Sequence, residues 1–158
     1  MDTAIDIRPA VAADAGIISR ILLRSIRVGC SLDHRNEPSR LEAWTRTRSL
    51  EHVLPWLADP RLCLNLAHLR GKPAGVGMAR DDGRILLCYV QPEWFRHGVG
   101  RALVAGLEAW LVKTGHGTAW LNSTLTGEGF YRHLGYRQTD GAFSVLGLTA
   151  IPMHKRLV

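Results

Sequence analysis

Residues Pro92 to Leu103, Pro-Glu-Trp-Phe-Arg-His-Gly-Val-Gly-Arg-Ala-Leu, place two glycines among three basic side chains. Those residue types at that spacing suit the binding of phosphate. Gly98 and Gly100 lack a Cβ and let the main chain approach an anion closely, while Arg96, His97 and Arg101 add positive charge around it. If a helix begins at this turn, its first unpaired N–H groups and its dipole favour negative charge at the same place. On local sequence alone, an ordinary strand-to-helix turn remains the alternative.

The flanking residues supply both elements. Ile85-Leu86-Leu87-Cys88-Tyr89-Val90 is a short apolar run ended by Gln91-Pro92, which predicts a buried strand that the proline stops. Leu103, Leu107, Trp110 and Leu111 recur at helical spacing, with Glu108 and Lys113 off that stripe and Gly115 able to close the helix. A second motif follows the apolar stretch Thr118-Ala119-Trp120-Leu121. It reads Gly129-Phe130-Tyr131-Arg132-His133-Leu134-Gly135-Tyr136.

Val-x-Pro, a Gly-x-Gly turn opening a helix, and then Phe-Tyr-x-x-x-Gly-Tyr together resemble the GNAT superfamily, the acetyltransferases related to the yeast histone acetylase. The resemblance runs from Ile5-Asp6-Ile7-Arg8-Pro9, similar to the family's first strand, to Ile151–Leu157, similar to its last. It implies an α/β (α+β) fold. The expected sheet is central, mixed and mostly antiparallel, with a splayed parallel strand pair and about four flanking helices. It also implies acetyl-CoA as cosubstrate, held by Arg96, His97, Gly98, Val99, Gly100 and Arg101 at the pyrophosphate, with Tyr89, Val90, Asn122 and Thr124 along the acyl-pantetheine arm. A free main-chain N–H near Tyr89 or Val90 would polarise the acetyl carbonyl. Tyr131 matches the tyrosine that gives a proton to the departing sulfur. The implied reaction is acetyl transfer to a primary amine of a small molecule or peptide; the alternative is a catalytically weak acyl-CoA-binding regulatory module. Two positions depart from the family pattern. Phe95 stands where Gln or Arg is usual, with Arg96 one residue late, and Thr124 stands where many relatives carry Asn.

Composition bounds the remaining classes. A chain of 158 residues has the size of a single compact domain, expected here over residues 1–158. No run approaches the ~18 apolar residues of a membrane span and no signal-like segment opens the chain, so a soluble, cytoplasmic protein is expected. The formal charge is +6, yet the basic residues are spread along the chain and argue against nucleic acid as the main partner. All but three of the 20 are Arg, and several flank the phosphate turn. Cys30, Cys63 and Cys88 are an odd, widely spaced set, read as buried free thiols with no metal-ligand pattern. A homodimer is compatible with the sequence.

Read in order, a strand near Ile5–Arg8 precedes a helix with Asp14 as N-cap. Ile17, Ile18, Ile21, Leu22 and Ser25 form its inner face, Arg20, Arg24 and Arg27 face solvent, and the helix ends near Gly29. Residues 31–38 are polar and turn-rich. Ser39 opens a helical stretch containing Leu41, Trp44, Leu50, Val53 and Trp56, limited by Pro55 and Pro60. Strands over Leu62–Leu69 and Ala74–Arg80 form a hairpin, Asp81-Asp82-Gly83 turns into the Cys88 strand, and Thr118–Asn122 runs parallel to that strand after a right-handed crossover. A short helix and two strands finish the chain. The acceptor pocket is expected from residues 29–56, with Trp44 and Trp56 as candidate walls, His34 and His52 as surface residues, and Asp33, His34, Glu37, Glu42 or a water chain as candidates for the base.

Overall fold

The computed structural model describes residues 4–158. Four strands, β1 (Ile5–Pro9), β2 (Leu62–Leu69), β3 (Lys72–Arg80) and β4 (Ile85–Val90), pair antiparallel in that order. Three more form a second sheet in the order β5 (Thr118–Ser123), β8 (Leu148–Arg156), β6 (Arg137–Gln138), with β7 (Phe143–Val145) also on β8. One parallel bridge, Arg84 to Trp120, joins the two sheets, with the Trp120 N–H on the Gly83 carbonyl at 3.1 Å. Beyond it β4 and β5 diverge. This is the mixed, mostly antiparallel architecture with a splayed parallel pair. The chain's end differs from expectation in having three strands, because Leu146 (φ 54°) and Gly147 (φ 78°) fold residues 143–150 into a tight hairpin.

Helix α1 (Ala15–Gly29) buries Ile18, Ile21, Leu22 and Ile26 against β3 and β4, and leaves Arg20, Arg24 and Arg27 outside. Asp14 does not cap it. Its carboxylate instead takes the Val11 N–H at 2.8 Å and two bonds from Arg8 at 3.0 Å, closing the 3₁₀ turn ahead of the helix. The region that follows is broken into three helices, α2 (Ser31–His34), α3 (Pro38–Thr45) and α4 (Leu50–Ala58). Arg35 and Asn36, both at positive φ, separate the first two, and Pro38 opens the second at a position where its missing N–H costs nothing.

Helix α5 (Val99–Lys113) crosses from β4 to β5 over the other face of the first sheet, and α6 (Glu128–His133) follows β5. The N-terminal half of α5 lies close to β3 because Gly75 leaves room for it. A Cβ at Gly75 would stand 3.0 Å from Leu103, 3.1 Å from Val99 and 2.9 Å from the Tyr89 carbonyl. Leu103, Leu107 and Leu111 are fully buried along that contact. Burial of one such side chain stabilises a fold by about 1.5–3 kcal/mol, so the seat of α5, and with it the turn at its start, is fixed by packing.

Candidate active site

A cleft of about 620 Å³ opens where β4 and β5 part, between the C-terminal end of α1, the start of α5 and the loop into α6. Arg96, Gly98, Val99, Gly100 and Arg101 line one end of it. Gly98 adopts φ 85°, the left-handed region that glycine enters without strain, and so turns the chain into α5. The first bond of that helix runs from the Ala102 N–H to the Gly98 carbonyl at 3.0 Å, so the N–H groups ahead of Ala102 have no partner within the helix. Unpaired N–H groups, a helix dipole and two guanidinium groups suit a pyrophosphate. His97 is exposed and does not line the cleft. Its Nδ1 donates to the Phe95 carbonyl at 2.8 Å and its ring stands edge-on to Trp94, which uses it to shape the turn.

Phe95 spans part of the opening. It is 45% exposed, lines the cleft, and lies so near α1 that a Cβ at Gly29 would come within 3.1 Å of its ring.

The edge of β4 has a definite polarity. The Gln91 N–H bonds the Ala74 carbonyl at 2.8 Å, and since Val90 pairs with Gly75, the alternation of an antiparallel ladder turns the Val90 N–H and C=O away from β3. Ser25 on α1 donates its hydroxyl to that carbonyl at 3.0 Å. The Val90 N–H is left facing the cleft, where no described strand pairs with it. Tyr89 lines the cleft too, with its side chain packed toward Ile26, Cys30 and Trp44.

From the other side, Asn122 is exposed into the cleft, and Thr124 lines it while its hydroxyl accepts the Gly127 N–H at 2.9 Å ahead of α6. Tyr131, on α6, is 9% exposed, edge-on to Phe130 and Tyr136, and its hydroxyl has no hydrogen-bond partner among the described residues. Burial, reinforced by Cys88, Tyr89 and Tyr136, pushes its pKa well above 10, so the group is protonated at neutral pH and able to donate. Cys30 and Cys88 also line the cleft; burial pushes both thiols up to about 12, which keeps them un-ionised and poorly nucleophilic. All three cysteines are free.

None of the four residues considered as a base is available there. His34 is not on the surface but fully buried: Nδ1 accepts the Asn36 N–H at 2.9 Å, which leaves Nε2 to donate to the Ile26 carbonyl at 2.8 Å at the end of α1. Asp33 is buried as well. One carboxylate oxygen accepts the Leu125 N–H at 2.6 Å, and the other accepts the Thr126 N–H at 3.1 Å and the Thr126 hydroxyl. It thus straps α2 to the loop that leads into α6. Glu37 pairs with Arg40 and Glu42 with Arg46, outside the cleft. Trp44 and Trp56 are packing residues, Trp44 against His34 and the Cys30 cluster, Trp56 against the core around Ile18 and Leu22. The cleft lining therefore carries two guanidinium groups and no carboxylate or imidazole among the described residues.

A family model for an acetyltransferase (GNAT) domain matches residues 38–157, three quarters of the chain. The chain belongs to the GNAT acetyltransferases. Among curated proteins, it is 28% identical over 96 residues to the uncharacterized protein YyaT of Bacillus subtilis, a match over 58% of this chain and 64% of that protein's length. In overall fold this GNAT chain is similar to a GCN5-related N-acetyltransferase from Rhodopseudomonas palustris, with a TM-score of 0.87 at 22% identity over 99% of this chain and 98% of the other. It is also similar to the PaiA N-acetyltransferase of Thermoplasma acidophilum, solved in complex with coenzyme A, with a TM-score of 0.82 at 18% identity over 98% and 99% of the two chains. Among the described residues no helix is long and apolar enough to cross a membrane.

Proposed function

We propose that the chain transfers the acetyl group of acetyl-CoA to a primary amine, by direct attack of the amine within this cleft. One observation carries the reading: the unpaired N-terminus of α5, with Arg96 and Arg101, lies beside the point where β4 leaves an N–H without a strand partner. The coenzyme A held by the Thermoplasma relative supports it. Acetyl-CoA, when bound, supplies an acetyl group activated as a thioester.

Each residue then has a task. The N–H groups from Gly98 to Arg101 hold the pyrophosphate, and the Val90 N–H donates to the acetyl carbonyl oxygen as charge develops on it. The Tyr131 hydroxyl gives its proton to the sulfur as the carbon–sulfur bond breaks. The proton lost by the attacking amine passes to water, from which Tyr131 is restored. Because Arg96 and Arg101 line the cleft and no carboxylate of the described residues does, an ammonium group is disfavoured there, and the amine arrives neutral without a protein base. Cys30 and Cys88, held as thiols, do not compete as acceptors.

The test is coenzyme A binding followed by turnover. A ligand at a hundredfold excess over its Kd stabilises the native state by about 2.7 kcal/mol, which for a chain of this size raises the melting temperature by roughly 5–11 °C. Filling the turn at Gly98 with a larger side chain removes the shift. If coenzyme A leaves the melting temperature of the unaltered protein unchanged, the reading is wrong. Stabilisation without thiol release from acetyl-CoA across a library of amines selects a regulatory acyl-CoA-binding module instead, an outcome favoured by the engagement of all four candidate bases elsewhere.

A further inference from the structure

The cleft has two faces, because the sheet beside it carries α5 on one side and α1 on the other. The groups suited to phosphate stand at the start of α5. Toward α1 the lining is different: the last two turns of that helix and the residue after it supply Ser25, Gly29 and Cys30, Tyr89 turns its side chain the same way, and the Phe95 ring reaches across to Gly29. A Cβ at Gly29 would stand 3.1 Å from the tip of that ring, so the ring occupies the room the glycine leaves.

Phe95 is held in this place. Its N–H bonds the Pro92 carbonyl at 3.2 Å and its carbonyl takes the His97 Nδ1 at 2.8 Å, so both of its main-chain groups are fixed. The side chain is nonetheless left exposed, lining the cleft. An aromatic ring fixed on the rim of a cavity, and not packed into the core, offers its free surface to a ligand.

The polar groups of the same wall are already engaged. The Ser25 hydroxyl donates to the Val90 carbonyl at 3.0 Å. Glu93, two positions before Phe95, pairs with Arg24 of α1 at 2.8 Å, and the Asp33 carboxylate accepts from Leu125 and Thr126. A second ammonium group on the acceptor would therefore meet no unengaged carboxylate along this wall among the described residues. A carboxylate on the acceptor would find the guanidinium groups that line the cleft, Arg96 and Arg101, at the pyrophosphate end.

We propose that the α1 side of the cleft selects an arylalkylamine, a primary amine carrying an aromatic ring and no second charge, and that Phe95 is the residue that recognises the ring. The inference rests on the reading of the cleft as an acetyl-transfer site and names its substrate class. Two aromatic rings in edge-on or offset contact gain more than their buried area alone provides, and an uncharged wall costs an apolar amine little desolvation.

Binding separates this inference from the transfer reading. The coenzyme A-saturated protein is titrated calorimetrically with phenethylamine, butylamine, putrescine and free phenylalanine at about pH 9, where more of an alkyl amine is neutral than at neutrality. Phenethylamine should bind about 10-fold more tightly than each of the others, the upper part of what one aromatic pair contributes. Phe95→Ala should bring phenethylamine level with butylamine, and Phe95→Tyr should keep the preference. Neither should change the coenzyme A thermal shift, and the melting temperature should hold because the ring is exposed. If putrescine, free phenylalanine or butylamine binds as tightly as phenethylamine, or if Phe95→Ala keeps the preference, the inference falls. Acetyl transfer that favours putrescine or an amino acid overturns it and leaves the transfer reading standing. Selective, Phe95-dependent binding of phenethylamine without acetyl transfer upholds it and overturns the transfer reading.

Discussion

Asp33→Asn tests how the two walls of the cleft are held together. In the native protein one carboxylate oxygen serves Thr126 twice and the other serves the Leu125 N–H at 2.6 Å. Asparagine keeps one carbonyl oxygen, enough for Thr126, and must then turn its NH₂ group toward the Leu125 N–H, donor against donor. The loss is one hydrogen bond to a charged group, about 1.5–3 kcal/mol, plus part of the cost of a buried N–H left unmet, for a total near 2–4 kcal/mol. Asp33 is only 4% exposed, so solvent does little to reduce it. At roughly 2–4 °C per kcal/mol for a chain of this length, the melting temperature should fall by about 4–16 °C. Scanning calorimetry at neutral pH reads this directly. The loop also starts α6, where the Tyr131 N–H bonds the Gly127 carbonyl at 3.0 Å, so the turnover number should fall further than coenzyme A affinity does. A melting temperature within about 2 °C of the native value would refute the strap, since one oxygen would then suffice for all three donors.

Tyr131→Phe removes a hydroxyl that has no hydrogen-bond partner among the described residues, so the melting temperature should hold while the turnover number falls by about 10²–10⁴-fold; full activity without a burst of thiol release would end the proton-donor assignment. Phe95→Gln restores the family's usual residue at an exposed site and should leave coenzyme A affinity equal or better by calorimetric titration, whereas a large loss would mean that the ring itself touches the cofactor. The Arg8 hydrogen bonds hold the Asp14 carboxyl below its ordinary range, so their stabilisation is present above about pH 4 and is lost as pH falls through the lowered native value. Asp14→Asn should flatten that acid limb in chemical denaturation curves taken across pH.

What was legible in the sequence was local. The strands announced themselves by apolar runs between turn residues, and the phosphate turn by glycines and arginines within a dozen positions. What was missed depends on partners far along the chain. Asp33 and His34 sit in a polar stretch that reads as surface, and nothing within it says that Asp33 meets residues more than ninety positions away. His34 is buried where α2 folds back on the last turn of α1, and its Nε2 joins the Cys30 N–H on the Ile26 carbonyl, an arrangement visible only once α2 is in place. The failed N-cap at Asp14 has the same origin: Arg8, on the preceding strand, competes for the carboxylate and wins.

The divergence of β4 and β5 is a cost the fold must meet. Two inner strand edges that cannot pair with each other expose N–H and C=O groups, and such groups are nearly always satisfied in native proteins. At Val90 half of the problem is met by Ser25, which takes the carbonyl, and the N–H beside it is left over. The same region keeps the α5 N–H groups unpaired and holds the two thiols and Tyr131 un-ionised by burial. The cleft thus offers N–H donors without partners at Val90 and at the start of α5, and among the described residues the charges that line it are those of Arg96 and Arg101. A cavity of this kind gains most from a ligand rich in oxygen and negative charge, and it disfavours a cationic amine while favouring a neutral one. The arrangement that suits the pyrophosphate of a thioester cosubstrate therefore also suits a neutral acceptor, and this is how the proposed transfer would proceed without a carboxylate base among the described residues of the cleft.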